Sequence, residues 1–284
     1  MTPLALALVG GSAVLHATWN LLAKRARGGA EFVWLFACLT VLVYAPLVVG
    51  YVLVVRPTFT WQHAALAAGS SVLHVGYFIC LQRGYRVADL SLVYPTARGS
   101  GPAIATLLAI LLLGERPGVQ ALAGTALVVA SVFVLAGGNG GRPGARSGLR
   151  YGLLTGLFIG CYTVFDGYAV GHAGAEPLLY TYAGELGRTL LLLPLVARRL
   201  PQLQVVWRAH RREAFGIALL SPLAYLMVLT AMQFTPVSLV APTREISILL
   251  GTLLGARLLA EGDTRRRLTG AAGMVVGVTL LALA

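Results

Sequence analysis

Charge is scarce in this chain: 11% of its 284 residues are Asp, Glu, Lys or Arg, where a soluble domain carries about 25%. That shortage excludes an ordinary water-facing surface. Acidic residues are the scarcer kind, 10 against 22 basic ones. The three cysteines, Cys38, Cys80 and Cys161, fall inside apolar runs with no CxxC pair, which excludes a disulfide framework and a thiolate zinc site. Also missing are HExxH, GxSxG and GxxxxGK[ST], the signatures of zincins, serine hydrolases and P-loop ATPases. The five histidines, at 16, 63, 74, 172 and 210, form no cluster. No cofactor, metal or catalytic residue is expected, and an integral-membrane enzyme or lipid flippase subunit remains only as a rival reading.

What fills the chain is apolar. The AVILMFWYC set makes up 57% of it, and the mean hydropathy is +0.80. A membrane-crossing helix needs ~20 such residues, and ten runs meet that need: 3–22, 32–55, 63–84, 90–113, 118–136, 150–170, 177–197, 214–234, 238–259 and 268–284. The runs are continuous rather than alternating, which predicts helices and not a closed barrel. The fold class is therefore all-α integral membrane, with ten transmembrane helices in the lipid bilayer and a multi-pass location in the plasma or inner membrane. Only Met1 and Thr2 precede the first run, and Lys24, Arg25 and Arg27 follow it, the charge order of a retained helix rather than a cleaved leader.

The formal net charge of +12 would suggest nucleic acid in a soluble protein. Here the basic residues cluster at span ends, so no nucleic-acid partner is expected. Connections after spans one, three, five, seven and nine hold 17 Lys and Arg, against two on the other side, Arg56 and Arg116. The positive-inside rule then makes the odd connections cytoplasmic and places both termini outside.

The chain contains an internal repeat. Ser91-Leu-Val-Tyr-Pro-Thr96 recurs as Ser238-Leu-Val-Ala-Pro-Thr243, 147 positions on. Each copy leads into an apolar run, a Glu-containing turn (Glu115, Glu261) and a run carrying an early glycine (Gly124, Gly270). This predicts a first five-span repeat over 1–136, a Gly-rich linker at 137–149 and a second repeat over 150–284. An odd number of spans per repeat inverts the second relative to the first, a design common in secondary transporters. Gly152, Gly156 and Gly160 have the spacing for close helix packing, and Gly273 with Gly277 could serve the same purpose or pack a homodimer partner.

Six charged side chains lie within the spans: Arg98, Asp166, Glu185, Arg188, Arg244 and Glu245. Such residues are expensive in a bilayer and usually face a cavity or each other. Arg98 plus 147 is Glu245, so the repeat puts opposite charges at equivalent positions. Glu185 and Arg188 share a helix face and can neutralise each other. Arg244 and Glu245 are adjacent and point about 100° apart on a helix, so they cannot both be satisfied by one another. On span one, His16, Asn20 and Lys24 form a polar stripe with Trp19 beside it, and Tyr162 and Asp166 repeat the spacing on span six. Tyr94, Pro95 and Arg98 open span four, as Pro242 and Arg244 open span nine. These prolines either unwind a span near a substrate or sit harmlessly in a first helical turn.

Five stretches carry a family resemblance: HATWNLLAK (16–24), DLSLVYPTARGSGP (89–102), LLLGERPG (111–118), CYTVFDGYAV (161–170) and VSLVAPTREISILLGTLLGARLLAEG (237–262). Through them the chain resembles EamA-type members of the drug/metabolite transporter superfamily. The resemblance implies ten spans as two EamA repeats, both termini in the cytoplasm, and an inner-membrane carrier that exports small polar metabolites such as amino acids. The sequence departs from the family at Gly167, where similar proteins have Lys, and at Ala260 and Gly262, which replace the Gly114 and Arg116 of the first copy.

The expected partner is a small-molecule substrate, with protons as a coupling ion. Arg98 or Arg244 can take a carboxylate, and Asp166, Glu185 or Glu245 an amine. Trp19, Tyr94 and Tyr162 offer stacking or cation–π contacts. That set suits an amino-acid-like zwitterion, and any of the three acids could carry a proton. A quaternary amine held by Trp19, Tyr162 and Asp166 is the alternative.

Overall fold

The computed structural model describes residues 1–26, 29–88, 90–136, 145–197, 199–250 and 264–284. Among them there is helix and no strand. The helices are α1 (Pro3–Ala26), α2 (Ala30–Val55), α3 (Trp61–Val87), α4 (Leu90–Leu113), α5 (Val119–Ala136), α6 (Ala145–Gly171), α7 (Pro177–Ala197), α8 (Leu200–Met232), α9 (Val237–Thr243) and α10 (Thr264–Leu283). Within the described residues α1, α2, α3, α4, α6 and α8 are long and apolar enough to cross a membrane, and α5 and α10 contain shorter apolar helices. The Gly-rich stretch 137–144, the end of span nine and Glu261 lie outside the described residues.

Polarity is arranged for lipid. Leu42, Leu53, Leu112 and Leu190 are exposed while Arg98, Asp166, Glu185, Arg244 and Glu245 are buried, the reverse of a water-soluble protein. Part of the helix pairing is symmetric under a five-helix shift. Advancing each helix by five positions turns α3–α6 packing into α8–α1 packing and α2–α8 into α7–α3, and all four contacts occur. The pairs α2–α7, α4–α9 and α5–α10 map onto themselves, and they too are in contact. Small residues make the closest approaches. Gly152, Gly156 and Gly160 lie against Thr96, Ser100 and Ile104 of α4. Gly277 and Gly124 present their backbone oxygens to each other's missing Cβ positions at 2.9 and 3.0 Å. The Gly273/Gly277 face is therefore covered by α5 within the chain, not left for a second copy.

Two elements differ from their sequence expectations. The basic stretch between spans seven and eight is helical, the opening third of the 33-residue α8. At 1.5 Å per residue α8 is about 50 Å long, against a hydrocarbon core of about 30 Å. Arginine keeps that third out of the hydrocarbon without preventing a helix. Pro201 starts it, Leu203 and Val206 pack inward, and non-helical backbone at His210 separates it from the spanning part. Span nine, expected as one helix, breaks after Thr243, with a turn at 244–245 and helix again over 246–250. Pro242 has no N–H for Ser238, and the chain tightens into three-residue bonds: Glu245 N to Pro242 O at 3.1 Å, Ser247 N to Arg244 O at 3.3 Å and Ile248 N to Glu245 O at 2.9 Å. The equivalent Pro95 leaves α4 continuous.

Candidate functional site

Three helical features bring the intramembrane charges together. The first is the break after α9, which Glu115 fixes from the α4–α5 turn. Gly114, at φ +68°, turns the chain, and the Glu115 carboxylate accepts from Val237 N at 2.7 Å and Ser238 N at 2.9 Å. A carboxylate on free N–H groups at a helix start is a charge-assisted cap. Past it, Glu245 meets Arg98 of α4, Nε to Oε2 at 3.0 Å, with side chains 8% and 1% exposed. Arg98 Nη2 also donates to Ser247 Oγ at 3.4 Å. The two repeat-equivalent residues thus pair directly rather than facing each other across a cavity.

The second feature is a tyrosine shell around Asp166 of α6, which is fully buried. Tyr180 of α7 donates its hydroxyl to one carboxylate oxygen at 2.7 Å, and Tyr225 of α8 donates to the other. Tyr225 lies edge-on to His74, and His74 stacks on Tyr162 at 4.1 Å between ring centroids. His74 Nδ1 donates to Ser70 O at 2.9 Å, and Tyr77 closes on Tyr162. Asp166 has hydroxyl donors and, among the described residues, no ion pair. The third feature is on α7, where Arg188 Nη2 lies 3.3 Å from Glu185 Oε1.

Three guanidinium groups and three carboxylates therefore share the interior, but only two pairs form. Arg244 is the cation left over. It is buried, at 6% exposure, and its Nε and Nη1 have no hydrogen-bond partner. Such a charge is costly unless something pairs with it. Arg244 lies within electrostatic range of His16, His74, Tyr225 and Glu245, and Arg188 within that of Asp166.

The other expected residues have these surroundings. Asn20 donates to His16 O in its own helix at 2.8 Å. Trp19 packs edge-on against His16 and joins the apolar cluster of α1, α2 and α8. Tyr94 lies within range of Arg98 and Glu245. The side chain of Lys24 lies outside the described residues. Sequence reasoning missed Tyr180, Tyr225, Ser70, Ser247 and the role of Glu115. Tyr180 and Tyr225 were legible only as polar interruptions of apolar runs.

A many-helix bundle with buried charges and a lipid-facing apolar exterior is a multi-pass membrane protein. Residues 146–283, just under half of the chain, match the model of the EamA-like transporter family, a family of membrane transporters. Twenty-nine solved chains match the fold. One of them, described only as "Crystal structure of protein", is 18% identical with a TM-score of 0.74, over 98% of this chain and 96% of that one. At that identity the likeness speaks to fold alone. No curated protein matches significantly.

Proposed function

We propose that the chain is a secondary active exporter of small polar metabolites, most simply amino-acid-like zwitterions. It works by alternating access of two inverted five-helix halves. The observation that carries this reading is Arg244. A buried guanidinium with two unpartnered nitrogens, held at a helix break, calls for a carboxylate. The amine end of the substrate meets the aromatic group of Tyr162 and Tyr225 beside Asp166. Helix contacts that recur on a five-helix shift support two halves rocking against each other. Asp166, held by hydroxyls and with no ion pair among the described residues, is the acid assigned to proton coupling.

Thermal unfolding of the purified protein across a ligand panel tests the substrate class. Zwitterionic amino acids should raise the midpoint. Their esters, which lack the carboxylate, should not. A response to choline-like compounds with none to amino acids would select a carrier of quaternary amines instead.

A further inference from the structure

The opening third of α8 supplies none of the interior charges, yet it is strongly basic. From Leu200 to Arg212 it has no acidic residue. Arg199, just before it, is spent on Glu31 at 2.9 Å. Arg208, Arg211 and Arg212 are exposed and make no ion pair among the described residues. The inward side of this stretch is occupied: Leu203 and Val206 join the apolar cluster with α1 and α2, and His210 meets Phe32 of α2 edge-on. Val205 and Trp207, each about 100° from Val206 around the helix, are left exposed.

Trp207 is not a stray surface tryptophan, because it continues the lipid-facing side of the span. Phe215, Leu219 and Leu223 recur at intervals of four on the spanning part of α8 and are all exposed, as a stripe against hydrocarbon requires. Arg211 stands one turn before Phe215 on that stripe. Eight residues would separate Trp207 from Phe215 by about 12 Å along a straight helix. The non-helical backbone at His210 lies between them, and their rings come within 6.0 Å of each other. Tryptophan in that place, where an apolar stripe gives way to polar residues, is a headgroup-level anchor. Guanidinium groups beside it meet lipid phosphates, and three uncompensated cations favour a lipid with net negative charge over a zwitterionic one.

We propose that the stretch from Val205 to Phe215 is an anionic-phospholipid site, with Trp207 at the headgroup level and Arg208, Arg211 and Arg212 on the lipid phosphate. Thermal unfolding of the full chain in detergent, titrated with phosphatidylglycerol, phosphatidylcholine or inorganic phosphate, tests it. Phosphatidylglycerol should raise the midpoint saturably, at a concentration at least about fivefold lower than phosphatidylcholine, the worth of one arginine at a negative surface. Inorganic phosphate should have no such effect. The triple variant Arg208→Gln, Arg211→Gln, Arg212→Gln should keep the phosphatidylcholine midpoint and lose the preference. Quenching by brominated lipid places the site: brominated phosphatidylglycerol should quench tryptophan fluorescence more than brominated phosphatidylcholine, and Trp207→Phe should abolish the difference. If the triple variant fails to fold, Arg211→Gln alone should weaken the preference. A preference that survives in the arginine variants, or a quenching difference that survives in Trp207→Phe, overturns the proposal. An equal response to inorganic phosphate overturns it in favour of a free-anion site. Because no substrate is present, the result is independent of the zwitterion reading.

Discussion

Arg98 and Glu245 lie 147 positions apart, the offset at which the SLVxPT motif recurs in the sequence, and meet at 3.0 Å. Neither side chain has appreciable solvent to fall back on. Removing one partner leaves the other buried and unpaired, at a cost of about 3–5 kcal/mol. Arg98→Met or Glu245→Gln should therefore lower the thermal midpoint sharply, whereas the double variant should recover most of the loss. A double variant no better than the worse single would contradict this.

Arg244 predicts the opposite balance. Since it has no ion-pair partner among the described residues, Arg244→Met relieves a buried charge and should leave the midpoint unchanged or higher. Transport should fall about 10- to 100-fold, the worth of a charge-assisted hydrogen bond of about 1.5–3 kcal/mol. Unfolding scans and uptake measured on the same preparation separate the two effects.

Glu115 acts through α9. Glu115→Ala strips both acceptors from Val237 N and Ser238 N and should cost about 0.5–2 kcal/mol, and Glu115→Gln should cost less. Because α9 leads into the break that holds Arg244, transport should drop further than stability in both variants. Uptake assayed well below the melting temperature checks this.

Asp166 predicts a change in pH dependence. Asp166→Asn cannot load and release a proton, so its transport should lose the pH dependence of the wild type, while Glu245→Gln should keep it. Tyr225→Phe removes one of the hydroxyl donors to Asp166 and should move the pH profile without abolishing it. If Asp166→Asn transports with the wild-type profile, coupling through Asp166 is wrong.

Much of this architecture was legible in the sequence. Apolar runs of spanning length located the helices, and the 147-residue offset picked out Arg98 and Glu245 before either had a position in space. Glu185 with Arg188 was readable from helical spacing alone. The helical start of α8 was not, because arginine marks the edge of the hydrocarbon and says little about backbone conformation. Nor was the break at Arg244 decidable, since Pro95 and Pro242 occupy equivalent places and only one of them interrupts its helix. The tyrosine shell of Asp166 depends on contacts among α6, α7 and α8 that local spacing does not encode.

The central claim is that Arg244 receives the carboxylate of a zwitterion, and counterflow in proteoliposomes tests it most directly. Vesicles preloaded with unlabelled amino acids should accumulate labelled amino acid from outside with wild-type protein and fail to do so with Arg244→Met. Undiminished counterflow in Arg244→Met would contradict the account, as would counterflow driven only by amines that lack a carboxylate.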